Sequence, residues 1–487
     1  MNEITQKVSR GLFWTYAERM SSQLVTLLVT IVLARLIAPE EYGIIAIVTI
    51  FITIADAFVT SGFGNALIQK KDADDIDFSS MLFFSIIFST LIYGILFFVA
   101  PIISNFFEIK LLTLVIRIMG IRLPIAAINS IQHAYLSKQM KFRKFFVSTV
   151  GGTLVSAIIG IIMAVCGLGI WALVAQYLSN AIIGTIVLFF TSGWKPMLVY
   201  SQKRINKLFS FGWKIMLVGV MTSVYSNIKN LIIGKKYSSE DLAYSTKGEQ
   251  FPSTISGSIN SSISKVLYPV LANSQDDKAS LKRIMRRSIT VGNFVLFPIL
   301  CGLAAVAGPF VEALLTEKWN ECVPYLQIMC LVYALQPIQT SSLQVIKAVG
   351  KGNLFVVIDI IKKVLGIALL LITVFLFDSV IAIIIGVFIT EIVSTLLNFP
   401  INKKLINYKY HEQLLDLIRP IAYILIMWIA IYCFSFIQMN IFLKLLSEVL
   451  VGAGVYLASA ILSRDPTLKY LLDIIRNFRK GKETNDA

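Results

Sequence analysis

Apolar segments of about 18 residues or more recur along almost the whole sequence, and they restrict the fold more than any other feature. Each is long enough to cross a hydrocarbon core of roughly 30 Å as an α-helix. Short strands of alternating polarity, which build membrane β-barrels, do not recur. Hydrophobic residues make up 56% of the chain and charged residues 15%, more apolar surface than a water-soluble domain could bury. The sequence therefore predicts an all-α integral membrane protein.

The apolar segments predict about fourteen transmembrane helices. All the loops between them are short, so none could fold as a separate catalytic domain. The predicted spans cover residues 11–37, 43–67, 79–104, 110–133, 145–166, 169–191, 208–233, 249–272, 288–315, 321–346, 353–377, 379–401, 419–438 and 441–463.

Basic residues are distributed unequally between the loops. With the N-terminus in the cytoplasm, the predicted inner segments carry roughly four times as many Lys and Arg residues as the outer loops. Lys247 is counted as one of the basic residues of the outer loops. This bias places both termini in the cytoplasm and explains the net charge of +16 without a nucleic-acid partner. The basic, amphipathic segment 464–487 is expected to lie on the anionic inner membrane surface.

The residues that metal centres, paired cysteine motifs and nucleotide-binding loops require are missing from this sequence. There are only two histidines, His133 and His411, and the five cysteines show no paired CxxC spacing, so we interpret the cysteines as packing residues. The phosphate-binding pattern GxxxxGK[ST] does not occur, which excludes a built-in ATP motor of that type. We therefore expect no metal centre, no cofactor and no catalytic residues.

An internal repeat is visible at an offset of about 200 residues. The segment "ARLIAPEEYG" (34–43) aligns with "GKKYSSEDLA" (234–243), and each lies between an outward and a returning span. The second copy has Ser239 and Ala243 in place of Pro39 and Gly43, which predicts a less sharply turned loop. In the first copy, Glu40 and Glu41 are expected to lie in water outside the membrane.

This repeat predicts two parallel six-span lobes followed by two further spans. The domains are expected at residues 1–200 for spans 1 to 6 and 201–405 for spans 7 to 12. Residues 406–463 then form spans 13 and 14, and 464–487 form the cytoplasmic tail.

These features together resemble a known family. The opening "ARLIAPEEYG", the basic loop "QHAYLSKQMKFRKFF" (132–146), the "SEDLAYSTKGEQFP" echo (239–252) and the number of spans are similar to polysaccharide transporter, or Wzx-type, flippases. These flippases belong to the multidrug/oligosaccharidyl-lipid/polysaccharide exporter superfamily, which also contains the MATE transporters. The resemblance extends over nearly the whole chain.

The resemblance implies a MATE-like fold with two six-helix lobes that face each other across a central cavity. It also implies outward flipping of an oligosaccharide linked to undecaprenyl pyrophosphate in the bacterial inner membrane, for the biosynthesis of a surface polysaccharide such as lipopolysaccharide. The lipid tail would stay in the bilayer and pass through a lateral opening between the lobes, near the first and eighth spans. Membrane lipids, a polysaccharide polymerase and glycosyltransferases are the other expected partners.

Polar residues recur at helical spacing along three predicted spans, which indicates a wet cavity. The alternative is that each hydroxyl bonds the backbone of its own helix or a neighbouring helix. The three stripes are Thr15, Arg19, Ser22, Thr26 and Thr30; Thr49, Thr53, Asp56 and Thr60; and Thr254, Ser258, Ser261 and Lys265.

Basic residues within the spans are candidates for binding an anionic headgroup, because a charge at the bilayer centre costs a few kcal/mol unless it is hydrated or paired. These residues are Arg19, Arg117, Arg122, Lys214, Lys229, Lys265, Lys362 and Lys363. Asp359 can neutralise either Lys362 or Lys363 within one helix. We expect Arg19, Arg122 and Lys265 to be the unpaired charges, since a guanidinium fork or an ammonium suits phosphate oxygens.

The predicted binding set therefore combines these three residues with Lys214 and Lys229, which can also snorkel towards the ends of their spans. Three hydroxyl residues, Thr26, Ser258 and Ser261, complete the set and would contact the sugar. Asp56 and Glu391 are candidates for proton or sodium coupling, and the alternative for each is a buried, hydrogen-bonded acid.

Two other functions are possible. A MATE-like exporter of a small cation or drug should have a cavity dominated by acidic residues, whereas basic residues outnumber acids within these spans. A polysaccharide polymerase or ligase needs a substantial outer loop with Arg or His side chains, and the longest predicted outer loop has no His. We expect the protein not to be an enzyme.

Overall fold

A computed structural model describes residues 3–483 of the chain. Regular structure within these residues is helical throughout, with nineteen α-helices, one short 3₁₀ helix and no β-strand. The prediction of an all-α protein is confirmed. The chain divides into two compact units, Met1–Ala243 and Tyr244–Ala487. The predicted lobe bounds at residues 200 and 405 stay predictions, and residues 484–487 of the predicted tail lie outside the described part.

The first unit is built around α2, which packs against α4, α5, α6, α8 and α9. Most of its side chains are aliphatic on every face, and a helix of that composition is stable only when other helices surround it. The helices that begin in this unit are α1 (Glu3–Leu36), α2 (Pro39–Thr60), α3 (Phe63–Gln69), α4 (Asp75–Phe107), α5 (Leu111–Gly120), α6 (Arg122–Lys138), α7 (Phe142–Val165), α8 (Ile170–Ser192), α9 (Gln202–Lys236) and α10 (Ser239–Ala272).

The second unit is built around α11, which packs against α13, α14, α16 and α17. A 3₁₀ helix, Glu317–Cys322, precedes α13. The α-helices of this unit after α10 are α11 (Lys278–Ala305), α12 (Ala307–Leu315), α13 (Val323–Ala334), α14 (Gln336–Ala348), α15 (Gly352–Leu376), α16 (Val380–Ile406), α17 (Tyr410–Ser435), α18 (Ile441–Leu462) and α19 (Pro466–Glu483).

Each predicted span coincides with one helix or with consecutive helices. Among the described residues, 11 helices, with interrupted pairs joined, are long and apolar enough to cross a membrane. The predicted spans outside this set are α10, the α13–α14 pair and α15, which carry polar or charged side chains. Asp359, Lys362 and Lys363 all lie on α15. The chain is therefore a multi-pass membrane protein with about fourteen spans.

The fourth and tenth spans are broken near their middle. The break between α5 and α6 falls at Ile121, and the break between α13 and α14 falls at Leu335. A proline follows each break, Pro124 and Pro337, and proline cannot donate the hydrogen bond that continues a helix. Ser256 Oγ on α10 donates to the Tyr333 carbonyl, four residues before Pro337, at 3.1 Å. A neighbouring helix thus gives a carbonyl group at the break a further hydrogen bond.

The start of α2, directly after the turn from α1, contacts another span, which the sequence did not reveal. Pro39 begins α2, as the fixed φ of proline favours. Glu41 Oε1 accepts a hydrogen bond from the backbone N–H of Ile170 at 2.9 Å, at the first residue of α8. The expectation that Glu41 simply lies in water is therefore wrong, because its carboxylate caps another span.

The second copy of this turn is as short as the first. Only Tyr237 and Ser238 separate α9 from α10, just as two residues separate α1 from α2. Ser238 Oγ accepts from the N–H of Asp241 at 3.0 Å, while Asp241 Oδ2 accepts from the N–H of Ser238 at 3.2 Å. This capping box starts α10 without a proline. The prediction of a less sharply turned second loop is wrong.

Lys247 also differs from its predicted place in an outer loop. It lies on α10, its side chain is buried, and its Nζ lies 5.7 Å from the centre of the Trp319 ring. Gln250 Oε1 accepts a hydrogen bond from this ammonium at 3.3 Å. Because α10 begins ten residues before the predicted eighth span, a residue counted as a loop charge packs inside the unit.

Candidate functional site

An ion pair lies at the break of the fourth span. Arg122 is the first residue of α6, and its Nη2 lies 3.3 Å from Oδ2 of Asp56 on α2. The expectation that Arg122 carries an unpaired charge is therefore wrong. The Arg122 side chain still exposes 32% of its surface. Within the described residues, the buried Oδ1 of Asp56 has no hydrogen-bond partner, so the guanidinium meets one carboxylate oxygen rather than two.

A polar residue beside the stripe on α1 lies against another helix. Glu18 Oε1 accepts a hydrogen bond from Thr149 Oγ1 on α7 at 2.8 Å. Arg19 and Thr26 are exposed on α1. The pairing of Glu18 with Thr149 was missed because hydropathy does not show which helix a polar face meets. The binding roles of Arg19 and Thr26 stay predictions.

Three predicted lysines lie on α9 and α10. Lys214 and Lys265 are exposed, and Lys229 is half-buried. An ammonium within a span must reach water, an anion or a lipid headgroup, and a long side chain permits each. The binding roles of Lys214, Lys229 and Lys265 stay predictions.

The hydroxyl stripe on α10 bonds the helix's own backbone. Thr254 Oγ1 donates to the Gln250 carbonyl at 2.7 Å, and Ser258 Oγ donates to the Thr254 carbonyl at 2.9 Å. Ser261 Oγ donates to the Ser258 carbonyl at 3.2 Å. The local-bonding alternative is thus observed here. Each hydroxyl oxygen still has lone pairs for a sugar, so the contact of Ser258 and Ser261 with cargo stays a prediction.

A second polar face of α10 was missed by sequence reasoning. Asn260 Nδ2 donates to Gln336 Oε1 at 3.1 Å, and Ser256 Oγ lies 2.9 Å from the same oxygen. Gln336 is the first residue of α14, directly after the break in the tenth span. The spacing of Ser256 and Asn260, four residues apart on one helical face, was the available signal.

A third polar cluster joins α14, α15 and α16 in the second unit. Lys362 Nζ donates to Gln339 Oε1 at 3.2 Å and to Asn398 Oδ1 at 3.0 Å. The amide nitrogen of Gln339 donates in turn to Glu391 Oε1 at 2.6 Å. Glu391 therefore belongs to a network that contains a lysine, and its predicted role in ion coupling stays a prediction.

The neighbouring lysine has a different partner. Lys363 Nζ lies 2.8 Å from Oδ2 of Asp359, one helical turn earlier on α15. Sequence alone left open which of the two lysines Asp359 neutralises. The structure assigns Lys363 to this local pair and directs Lys362 into the unit.

Comparison with known families agrees with the family that the sequence motifs indicated. Residues 32–324, more than half of the chain, match the family model described as "Polysaccharide biosynthesis protein". The chain belongs to the polysaccharide biosynthesis protein family. The resemblance to polysaccharide transporters that the turn and loop motifs indicated is confirmed.

Three named relatives align with this chain over most of their length. The teichuronic acid biosynthesis protein TuaB of Bacillus subtilis is 23% identical over 73% of this chain and 74% of its own. The lipopolysaccharide biosynthesis protein WzxC of Escherichia coli is 22% identical over 80% of each chain. The succinoglycan biosynthesis transport protein ExoT of Rhizobium meliloti is 22% identical over 71% of this chain and 70% of its own.

Solved structures show that this member of the family has a known membrane-transporter fold. The lipid II flippase MurJ in an inward closed conformation superposes with a TM-score of 0.75 at 17% identity, over 93% of this chain and 99% of MurJ. An inward-facing MATE family multidrug transporter superposes with a TM-score of 0.63 at 14% identity, over 79% of this chain and 94% of that one. The predicted MATE-like fold is confirmed.

Proposed function

We propose that the protein is a flippase that moves an oligosaccharide linked to undecaprenyl pyrophosphate across the bacterial inner membrane. It takes this cargo from the inner leaflet and releases it at the outer leaflet by alternating access, without covalent chemistry. Both termini lie in the cytoplasm. The polymer served is a surface polysaccharide such as O-antigen, capsule, exopolysaccharide or a teichuronic-type chain, and the polymerase and glycosyltransferases of that pathway are the protein's functional partners.

The family and the names of its members support this cargo. TuaB, ExoT and WzxC are named for the biosynthesis of three different bacterial polysaccharides, and ExoT is named as a transport protein. MurJ, which shares the fold, is named as a flippase of a lipid. A multi-pass chain with short loops can provide a path through the membrane for such a cargo.

The observation that carries the proposal is the ion pair of Arg122 and Asp56. A guanidinium that meets a single carboxylate oxygen at 3.3 Å and remains partly exposed can exchange that partner for another anion. Pyrophosphate offers several oxygens, and guanidinium binds phosphate oxygens in a two-pronged geometry. Asp56 therefore holds the place of the headgroup while no cargo is bound, which keeps Arg122 neutralised inside the membrane.

The remaining candidates have distinct roles in this proposal. Arg19, Lys214, Lys229 and Lys265 supply further positive charge to the pyrophosphate as it moves. The hydroxyl groups, Thr26, Ser258 and Ser261, offer oxygens to the sugar. Asp56 and Glu391 are the acids available for ion coupling.

The membrane potential can supply the driving force. With the inside negative, outward movement of an anion gains about 2.3 kcal/mol per charge per 100 mV, so two phosphate charges gain roughly 4.6 kcal/mol. This amount corresponds to a concentration ratio above 1,000, at about 1.4 kcal/mol per factor of ten. ATP hydrolysis is then unnecessary.

The direct test uses liposomes that contain the full-length protein and the lipid-linked saccharide extracted from the host strain. We expect the protein to accelerate flipping, and R122A to slow it by at least tenfold while R122K, which keeps the charge, retains part of the rate. Lys110→Ala is the matched control, since Lys110 is exposed at the outer end of the same span. Equal flipping with and without protein contradicts the proposal.

A deletion strain provides the second test. Loss of the gene should abolish surface polymer while lipid-linked precursor accumulates in the inner leaflet, and the wild-type gene should restore export. Precursor that instead reaches the outer leaflet unpolymerised would indicate a polymerase. Normal polymer together with increased sensitivity to toxic cations would indicate a small-molecule exporter.

A further inference from the structure

The polar cluster of the second unit has the composition of a cation site. Its oxygen atoms come from two helices, with Gln339 on α14 and with Glu391 and Asn398 on α16, and a third helix, α15, supplies the occupant. Two amide oxygens and a nearby carboxylate are the hard ligands that small cations prefer. The site differs from an ordinary ion pair because Gln339 lies between the ammonium and the carboxylate and bonds both.

The side chain of Lys362 occupies this site. Its Nζ lies 3.2 Å from Gln339 Oε1 and 3.0 Å from Asn398 Oδ1. The Asn398 side chain is fully buried, and its Nδ2 has no hydrogen-bond partner among the residues that the structure describes. An unmade hydrogen bond in a buried position costs free energy, so the bond that the Asn398 oxygen does make must fix the orientation of this amide. The partner of this oxygen is the Lys362 ammonium.

The carboxylate balances the charge of this occupant. Glu391 reaches the ammonium through the Gln339 amide, whose nitrogen donates to Oε1 at 2.6 Å. A cation and an anion joined by one amide inside a span form a neutral unit, whereas either charge alone is costly there. The adjacent Lys363 cannot take this place, since it pairs with Asp359.

We propose that Gln339, Glu391 and Asn398 form a site for a small monovalent cation, and that the Lys362 ammonium is its tethered occupant. With the lysine in place this site holds no free sodium ion, so of the two coupling ions considered for Glu391 only the proton is compatible with it. Removal of the lysine amine leaves two amide oxygens and a carboxylate with no positive charge. A small free cation, either methylammonium or Na⁺, then fills the vacated position.

The test is chemical rescue of purified full-length protein. We expect K362A to melt about 5 °C or more below the wild type, because it leaves the half-buried Glu391 carboxylate inside a span without a counter-ion. Methylammonium chloride should restore at least half of this loss in a saturable manner, and NaCl should restore part of it. Choline chloride at equal ionic strength, whose cation is too large for the site, should restore none.

Three variants control the assignment. K363A, which removes the neighbouring lysine, should show no rescue by methylammonium beyond that by choline. The double variant K362A/E391Q lacks the carboxylate and should also show none. K362M keeps the apolar stem and replaces K362A if that variant does not accumulate. Equal effects of methylammonium, Na⁺ and choline on both K362A and K362M would overturn the proposal, as would rescue of K362A/E391Q. No saccharide is used, so failure here leaves the flippase proposal intact.

Discussion

The Cα of Gly43 on α2 faces the backbone of Ser239 on α10 so closely that no side chain fits between them. A Cβ atom at Gly43 would lie 1.8 Å from the Ser239 carbonyl oxygen and 2.3 Å from its carbonyl carbon. These two residues belong to the two copies of the repeated turn. The first turns of α2 and α10 therefore meet backbone to backbone within the first unit, which only glycine at position 43 permits.

Replacement of this glycine should separate the two turns. The methyl group of G43A would overlap the Ser239 carbonyl group, so we expect the free energy of unfolding to fall by about 1 to 3 kcal/mol, as for overpacking in a core. Melting temperature and polymer export at equal protein level measure the effect. Gly94→Ala is the matched control, because that helical glycine has open space at its Cβ position. A G43A protein as stable as G94A would refute the contact.

The cap that Glu41 provides to α8 should be measurable. E41A removes the acceptor of the Ile170 N–H, and we expect a cost of about 0.5 to 2 kcal/mol, the range for helix N-caps. E41Q keeps an oxygen in place and should recover part of this cost. The neighbouring Glu40 is exposed, so E40A should change the melting temperature little. Equal losses in E40A and E41A would show that the cap contributes nothing.

Removal of the carboxylate that pairs with Arg122 should favour anion binding. D56N keeps the shape of the side chain and removes the resident charge, so an anionic probe no longer competes with it. We expect the Kd for farnesyl pyrophosphate to fall by roughly tenfold, which corresponds to about 1.4 kcal/mol. Equilibrium binding to the purified protein measures this change, with E40Q as the charge control. A weaker or unchanged affinity in D56N contradicts the role of Asp56 as a substitute for the headgroup.

Stability should depend on acid pH through Asp74, which caps α4 outside the membrane. A hydrogen bond from Arg204 lowers the pKa of this carboxyl to about 2, below the usual value of about 3.9. The ionised carboxylate therefore stabilises the folded state above about pH 4, and this contribution is lost as the pH falls towards about 2. The group is half exposed, so solvent and salt reduce the effect.

The corresponding variant is D74N, which still caps the helix but cannot ionise. We expect the melting temperature of the wild type to fall more steeply than that of D74N between about pH 4 and about pH 2. Asp75→Asn is the control, since Asp75 is exposed in the first turn of the same helix. Parallel pH profiles for the wild type and D74N would exclude this contribution.

Much of the fold could be predicted from the sequence. The apolar segments located each span, because every membrane-crossing backbone must bond itself within a helix and face apolar surroundings. The breaks in the fourth and tenth spans were less visible. Pro124 and Pro337 lie in otherwise apolar segments, and many spans tolerate a proline without breaking.

The candidate site was predicted less completely, as two lysines illustrate. Lys362 and Lys363 are adjacent, and both lie within reach of Asp359 on one helix. Their rotation relative to α14 and α16 decides which lysine enters the unit, and Lys362 meets Gln339 and Asn398 there. The role of Gln339 could not be predicted from the sequence, since an uncharged amide in a span has many possible partners.

The sequence by itself determined that this protein is helical, spans the membrane many times, repeats a short turn and belongs with polysaccharide transporters. These properties follow from local hydropathy and from short motifs, which depend on neighbours along the chain. The tertiary structure alone decided that Arg122 pairs with Asp56, that Glu41 caps α8 and that Lys362 fills a site of oxygens. Each of these contacts joins residues on different helices, and their distance depends on how the helices are rotated and packed, which hydropathy does not encode.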